Sequence, residues 1–458
     1  MTALTLNPDT RAAPAHAGLV RRAWIITGML VLFQMINFAD KAILGLVAEP
    51  VMRDLGLSPG EFGFIGGAFF FLFALSAVLV GFLAGWIQSR WIILSMGLAW
   101  AVLQFPMLLG GGAALLLGTR IVLGAAEGPA TPISLQHVQG WFPATDRGLP
   151  SSLVAMGSTL GPLVAAPLLA WIIAHPDWGW RWAFGFMGVT GLGWTLAWAV
   201  LSREGPYAAC GRAGEGAKPQ AAVSALDDQV PPACLRRVFL SPMFIVATLA
   251  GAGCFWAQGF LTTWSPRYLT SVVALSPEWI GLVSTLPWLM GAAALFVLGV
   301  LSRRAMRRGA SVRWALGAMF GATLAASGLA FLALPWLDGY VAVAVLTLAA
   351  GLAMIFPLAP ATVAYCVAAR QRGAVMAVLT GVASLGGVVS PMMVGYLMQK
   401  AAYVPGMAGV SMDSGIHSAF WFIGCYLLVT GLGCVAVLNP DALLRRWHAC
   451  QDERPGHP

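Results

Sequence analysis

The chain has 458 residues, of which 59% are hydrophobic and only 10% charged, with a net charge of +8 and a mean hydropathy of +0.79. Soluble domains carry about 25% charged residues, so this composition excludes a large globular enzyme and points to an integral membrane protein. The positive balance belongs to loop arginines, and nucleic-acid binding is not needed to explain it.

In chain order, residues 1–20 are a polar stretch containing Ala and Pro. The apolar run after them is too long and too charged for a cleavable signal. Runs of about 20 apolar residues, each able to cross a hydrocarbon core of about 30 Å as a helix, then recur to the end of the chain. They fall at 22–48, 62–86, 91–110, 113–139, 150–174, 181–201, 241–266, 277–301, 314–335, 340–366, 373–399 and 417–438. The expected fold class is an all-α polytopic membrane protein with twelve transmembrane helices.

Basic residues orient these spans. With both termini in the cytoplasm, the inner segments hold Arg11, Arg21, Arg22, Arg90, Arg147, Arg370 and Arg372, as well as the bases of 202–240 and 302–313 and the tail arginines. Only Arg53, Arg181, Arg267 and Lys400 fall outside. This is the positive-inside bias, and the arginines of 303–308 are placed to touch anionic lipid heads. The seven cysteines form no C-x-x-C pair, so neither a structural disulfide nor a zinc site is expected.

The stretch 202–240, rich in Gly, Ala, Pro and charges, separates six spans from six. The expected domains are an N-terminal tail (1–21), a first bundle (22–201), a cytoplasmic loop (202–240), a second bundle (241–438) and a C-terminal tail (439–458). The halves echo each other at an offset of about 225 to 228 positions. Pro129-Ala-Thr-Pro132 answers to Pro357-Leu-Ala-Pro360, and Arg147-Gly148 to Arg372-Gly373. Gly161-Pro162 through Pro167 is echoed more loosely by Gly386-Gly387 through Pro391. Six-helix repeats about an axis along the membrane normal mark secondary transporters.

Asp40, Lys41, Arg120 and Glu127 fall within the spans, all in the first half. An ionisable group near the bilayer centre costs about 2.5–3.5 kcal/mol even on the gentlest scale, so the four must pair or line a cavity. Arg120 and Glu127 are two helical turns apart, about 10 Å along one face. Depth counting pairs Asp40 with Arg120 and leaves Glu127 to the cavity, as a candidate proton carrier, with Lys41 and Arg120 offered to an anion. A static network that fixes helix register is the alternative reading. His137 is expected as a solvated interfacial histidine. Trp256 and Trp264 either pack or line a pocket. No lysine follows a glycine as in a nucleotide-binding loop, no H-E-x-x-H occurs, and no nucleophile–base arrangement stands out, so an enzyme is not expected.

Asn37-Phe38-Ala39-Asp40-Lys41 resembles the Asn-Tyr-x-Asp-Arg motif of the anion:cation symporters, a branch of the major facilitator superfamily. Arg120-Ile-Val-Leu-Gly-Ala-Ala-Glu127-Gly-Pro129-Ala-Thr-Pro132 is similar to that family's fourth-span signature. Trp141-Phe142-Pro143-Ala-Thr-Asp146-Arg147-Gly148 is similar to its following loop, and Trp264-Ser-Pro266-Arg-Tyr268-Leu269 to the end of its seventh span. The resemblance implies two pseudo-symmetric six-helix bundles and proton-coupled uptake of an organic anion such as a sugar acid. It implies a monomer in the cell (inner) membrane, without a cofactor beyond the coupling proton. Asp40 and Glu127 would be protonation sites, and Lys41, Arg120, Phe73, Gln258, Thr380 and Ser384 would face the substrate.

The chain departs from the family in two loop patterns and at several pocket positions. The loop pattern Gly-x-Leu-Ala-Asp-Arg-x-Gly is here Gly81-Phe-Leu-Ala-Gly85-Trp86-Ile-Gln88, and Gly299-Val-Leu-Ser302-Arg303 has Arg where Asp is common. Phe73 and Ala77 stand where Tyr and Gln are frequent, and Thr380 and Ser384 where Asn is common, which suggests a less hydroxylated, aromatic or short-chain carboxylate. The alternatives are a proton-antiporting exporter of drugs or metabolites and a non-transporting membrane sensor.

Overall fold

The computed structural model describes residues 12–83, 86–143, 146–208, 235–402 and 414–444. Most of the expected central loop and both tails beyond 12 and 444 lie outside the described residues, as do Gly85 of the altered loop pattern and the cysteines Cys210, Cys234 and Cys450. The first half holds α1 (Ala12–Leu46), α2 (Ala48–Leu55), α3 (Pro59–Leu83), α4 (Ser89–Leu108), α5 (Ala113–Glu127), α6 (Ala130–Gln139), α7 (Gly148–Ala174) and α8 (Gly179–Leu201). The second holds α9 (Leu235–Phe239), α10 (Pro242–Thr263), α11 (Ser265–Ser271), α12 (Pro277–Val283), α13 (Leu286–Arg307), α14 (Met319–Ala333), α15 (Gly339–Ala353), α16 (Leu358–Ala364), α17 (Ala369–Ala402) and α18 (Ser414–Val437). No strand occurs among the described residues, as expected where no water can satisfy an open backbone.

Among the described residues, eleven helices are long and apolar enough to cross a membrane. The remaining expected span, 113–139, is broken. α5 stops at Glu127, Gly128 and Pro129 intervene, and α6 resumes at Ala130. Proline supplies no N–H and crowds the preceding turn, so the break sits where the sequence puts Pro129. The first helix starts ten residues earlier than the apolar run at 22, at Ala12, because its Ala, Leu and Arg residues favour helix without needing burial.

The two halves are built alike. In the first, α1 packs on α7, α3 on α5 and α4 on α8; in the second, α10 packs on α17, α13 on α15 and α14 on α18. In span order both halves pair first with fifth, second with fourth and third with sixth. Between the halves, α3 lies along α17, α7 meets α12 and α1 meets α10. The chain is therefore an all-α protein of two pseudo-symmetric six-helix bundles.

Close contacts between the bundles gather at the end that carries α2. Arg267 after α10 pairs with Glu49 of α2, and the rings of Phe62 and Trp264 meet edge-on at 5.5 Å. Gly45 lies so close to α10 that a methyl group on it would stand 2.7 Å from the Thr262 carbonyl oxygen. The Trp264 indole donates to the Pro391 carbonyl at 3.0 Å, and Trp256 stacks on Phe260 within the second bundle. Both tryptophans are thus packing residues, the first of the two readings open to them.

The opposite end of the first bundle is tied by a polar cluster. His137 is 1% exposed, and its Nδ1 lies 2.8 Å from Ser89 Oγ at the start of α4. Ser89 Oγ donates in turn to Glu204, 3.1 Å away, and Glu204 accepts the Arg90 backbone N–H at 2.8 Å. The Tyr207 N–H donates to the Gly140 carbonyl at 2.9 Å. His137 is therefore buried rather than solvated: the chain leaving α8 folds back over it, a contact that its position at the end of a span does not reveal.

Two outcomes are expected. Gly45→Val should wedge the end carrying α2 apart, seen as faster labelling of an Ala42→Cys reporter by a membrane-impermeant thiol reagent; unchanged labelling would show that the seal does not rest on this approach. Glu204→Leu should cost about 1–3 kcal/mol for lost charged hydrogen bonds, read as a lower thermal midpoint of the purified protein in detergent.

Candidate functional site

The charged residues of the site come from two helices of the first bundle, α1 and α5, with α3, α4 and α8 packed against them. On α1, Asn37, Asp40 and Lys41 follow at three- and four-residue spacing, so they share one side of the helix. On α5, Gly124 backs onto the Phe69 carbonyl of α3 and Gly128 onto that of Phe73. Side chains at these two glycines would push α5 away from α3. Without them, Glu127, the last residue before the break, is carried inward to α1.

Lys41 and Glu127 form a buried ion pair, with side chains 5% and 0% exposed. The Lys41 ammonium also donates to Asn37 Oδ1 at 2.6 Å. It stands 4.4 Å from the centre of the Phe38 ring and 5.7 Å from that of Phe69, so its unpaired side meets aromatic faces. Asp40 turns the other way and accepts a hydrogen bond from Gln104 Nε2 of α4 at 2.5 Å. Arg120, 3% exposed, lies 5.5 Å from the centre of the Phe184 ring of α8 and within electrostatic reach of both carboxylates. Its Nη2 is buried without a hydrogen-bond partner among the described residues.

Sequence reading and structure thus part over the pairing. Depth counting joins Asp40 to Arg120 and leaves Glu127 free. In the structure Glu127 is held by Lys41, Asp40 is held by Gln104, and no Asp40–Arg120 ion pair forms among the described residues. Counting depth treats side chains as points. The long lysine stem spans the gap between α1 and α5, and an amide from a third helix takes the place that two-helix reasoning gave to arginine.

Among the described residues, no hydrogen bond or ion pair joins the remaining expected positions to this group. Phe73 is half-buried on α3, its ring 5.8 Å from that of Phe69 and 5.9 Å from that of Phe70. Gln258 is half-buried on α10, and Thr380 is half-buried on α17. Ser384 is fully buried and donates to the Gly381 carbonyl of its own helix at 2.8 Å. Sequence reading missed Gln104 and Phe69. Gln104 had a visible signal, as the one amide in the run 91–110, since a buried amide demands a partner. Phe69 had none, because nothing distinguishes it from its neighbours Phe70 and Phe71 before the fold is known. Among the described residues no cluster of side chains suited to a metal ion occurs.

The chain is similar to a probable sulfoacetate transporter of Cupriavidus necator, 25% identical over 391 residues, which cover 83% of this chain and 88% of that protein. It is also similar to a D-galactonate transporter of Escherichia coli, 24% identical over 433 residues, covering 85% and 93% of the two chains. Among solved structures, a bacterial homologue of the human lysosomal transporter Spinster, in an inward-facing and unoccupied conformation, superposes with a TM-score of 0.68. That likeness covers 95% of this chain and 99% of the other at 20% identity. A peptide transporter in complex with sulfate reaches a TM-score of 0.70 at 15% identity, over 93% and 95% of the two chains. The model of the Major Facilitator Superfamily matches residues 30–391. With that match, the paired six-helix halves and the broken fourth span, the chain belongs to the major facilitator superfamily, whose members are membrane transporters and not enzymes.

Proposed function

We propose that this protein takes up an organic anion together with protons, by alternating access of a central site to the two sides of the membrane. The observation that carries the proposal is the buried quartet of Asp40, Lys41, Arg120 and Glu127, with Lys41 and Glu127 in direct contact. Two acids and two bases out of solvent sum to zero, and a buried site cannot hold a net charge cheaply. An anion entering this site therefore needs a positive charge to arrive with it, and protonation of a carboxylate supplies one.

Glu127 is the nearer switch. A proton on its carboxyl group removes the partner of Lys41 and frees the ammonium for the anion. Arg120, with Nη2 unpaired and a planar fork suited to a carboxylate, provides a second contact. Asp40 is the second protonation site: its neutral form would give Arg120 more freedom toward the substrate. Release reverses the order. The anion leaves, Glu127 loses its proton, and the Lys41–Glu127 pair reforms to close the empty site. The relatives include transporters of sulfoacetate, galactonate and hexuronate, which supports an organic anion as cargo.

The orientation goes with this reading. The arginine bias places both termini and the central loop in the cytoplasm and the end carrying α2 outside. The close contacts at the α2 end then correspond to a conformation closed outward. The transporter works in the cell (inner) membrane as a monomer surrounded by lipid, with the 303–308 arginines near anionic headgroups, and uses no cofactor beyond the proton.

Three measurements follow, all in proteoliposomes or expressing cells. Adding a transported anion should raise external pH, and initial uptake should increase as external pH falls, because loading needs a protonated carboxyl group. Glu127→Gln keeps the site in its protonated-like state: anion exchange should persist while concentrative uptake falls to simple equilibration. Full proton-driven accumulation by this variant would remove Glu127 from the coupling. Lys41→Met should weaken anion binding by about 2–5 kcal/mol, about 30-fold or more, with the protein still folded. Silence toward every anion in a panel of sugar acids, aromatic acids and dicarboxylates would instead turn attention to export.

A further inference from the structure

The ring-lined wall that begins beside Lys41 at Phe69 is more specific than the charges. On α3, Phe69, Phe70 and Phe73 form one edge-packed set, with ring centres 5.0 to 5.9 Å apart. The second bundle answers with two more rings: Phe255 of α10 meets Phe356, in the gap between α15 and α16, at 5.0 Å. All five belong to one continuous apolar cluster that bridges the bundles and includes Ala383 of α17. Opposite the rings α17 presents small residues, and Gly387 comes so close to Phe70 that an added methyl group would stand 2.8 Å from its ring. Lys41 itself rests on the faces of Phe38 and Phe69.

Two hydroxyl groups along these walls are spent within their own helices, while that of Ser390 on α17 is buried without a partner among the described residues. Ser384 donates to the Gly381 carbonyl at 2.8 Å, and Thr262 to the Gln258 carbonyl at 3.0 Å. Both bonds stay within one helix. On α10, Gln258 shares a face with Phe255 and Thr262, and on α17, Thr380 shares one with Ala383, Ser384 and Gly387, by their three- and four-residue spacing. The second bundle therefore offers the amide of Gln258 and the hydroxyl of Thr380 among rings and small side chains.

Resting on the anion-uptake reading above, we infer that the cargo is an aromatic carboxylate, with one face-stacking ring and few or no hydroxyl groups, rather than a sugar acid. Its carboxylate takes the Lys41 ammonium when Glu127 releases it. Its ring lies along the wall that begins at Phe69, one of the two rings beside that ammonium, and continues through Phe70 and Phe73. Gln258 and Thr380 are left to read one or two ring substituents. A polyhydroxylated chain in the same place would bury hydroxyl groups against ring carbons. One added hydroxyl in an apolar pocket already costs about 100-fold in selectivity.

The test uses the purified full-length protein in detergent and compares ligand-induced thermal stabilisation by benzoate, 4-hydroxybenzoate, phthalate, D-galactonate, D-glucarate and sulfoacetate. Phthalate uptake is then measured in proteoliposomes, because the dianion crosses lipid slowly on its own. The expected result is binding of at least one aromatic acid at concentrations about 100-fold or more below those needed for the sugar acids, with proton-dependent uptake if phthalate is among the binders. Phe73→Tyr and Phe255→Tyr, which keep the rings and add a hydroxyl, should narrow that ratio without abolishing binding; a ratio unmoved by both variants would place the ring outside this wall and overturn the assignment. Tighter binding of galactonate, glucarate or sulfoacetate than of every aromatic acid would overturn the aromatic assignment and leave anion uptake standing. Binding of no anion by folded protein would overturn both.

Discussion

A lysine ammonium and a glutamate carboxylate, both removed from solvent, face each other between the first and fourth spans, and the first bundle is arranged around that contact. Removing either partner would strand a charge in a medium that solvates it poorly, a loss of about 3–5 kcal/mol for a buried pair. Each neighbouring feature limits that cost. Asn37 accepts from Lys41 one turn away, the Phe38 and Phe69 rings cover the rest of the ammonium, and Gln104 supports Asp40 from a third helix. Gly124 and Gly128 let the fourth span lie close against α3, and Glu127 ends α5 just before the break. A buried pair of this kind is weak evidence for stability and better evidence for use, because a packed apolar contact could have held the same helices.

The two bundles share a packing plan but divide the labour. The four acids and bases buried within the spans, Asp40, Lys41, Arg120 and Glu127, belong to the first. The second contributes rings, small residues and a surface that closes on its partner at the end carrying α2. This asymmetry has a physical logic. Buried acids and bases are easier to hold neutral when they sit on one bundle, because each then stays within reach of an opposite charge. The second bundle can move against that set without breaking an ion pair in the low-dielectric centre. Its ion pair with the first bundle at the closed end, Arg267 with Glu49, lies where Glu49 is exposed, so separating it exchanges protein for water at little cost.

The cluster of Ser89, His137 and Glu204 answers a different need. The loop after the second span lacks the Asp and Arg usual in related carriers, while the chain leaving the sixth span is fastened back onto the third and fourth. The first bundle is thereby tied at the end opposite the closed seal by bonds within itself.

Much of this architecture was determined by the sequence alone. Twelve apolar runs, the arginine bias and the offset between Pro129-x-x-Pro132 and Pro357-x-x-Pro360 specify the class and the doubled plan, because membrane insertion depends on local hydropathy and backbone hydrogen bonding, both local properties. The positions of the four charges were equally plain, since each is conspicuous in an apolar run. Their partners were not. Which acid meets which base depends on helix approach, on rotation about the helix axes and on side-chain reach, and these are set by contacts between distant segments: Gly124 and Gly128 against α3, Gln104 from α4, the lysine stem across the gap. The burial of His137 required the fold-back of residues 202–208, and the ring-lined wall required α3, α10 and α17 to meet. Composition can report that a helix is apolar; only tertiary packing decides which of its faces meets a charge and which meets lipid.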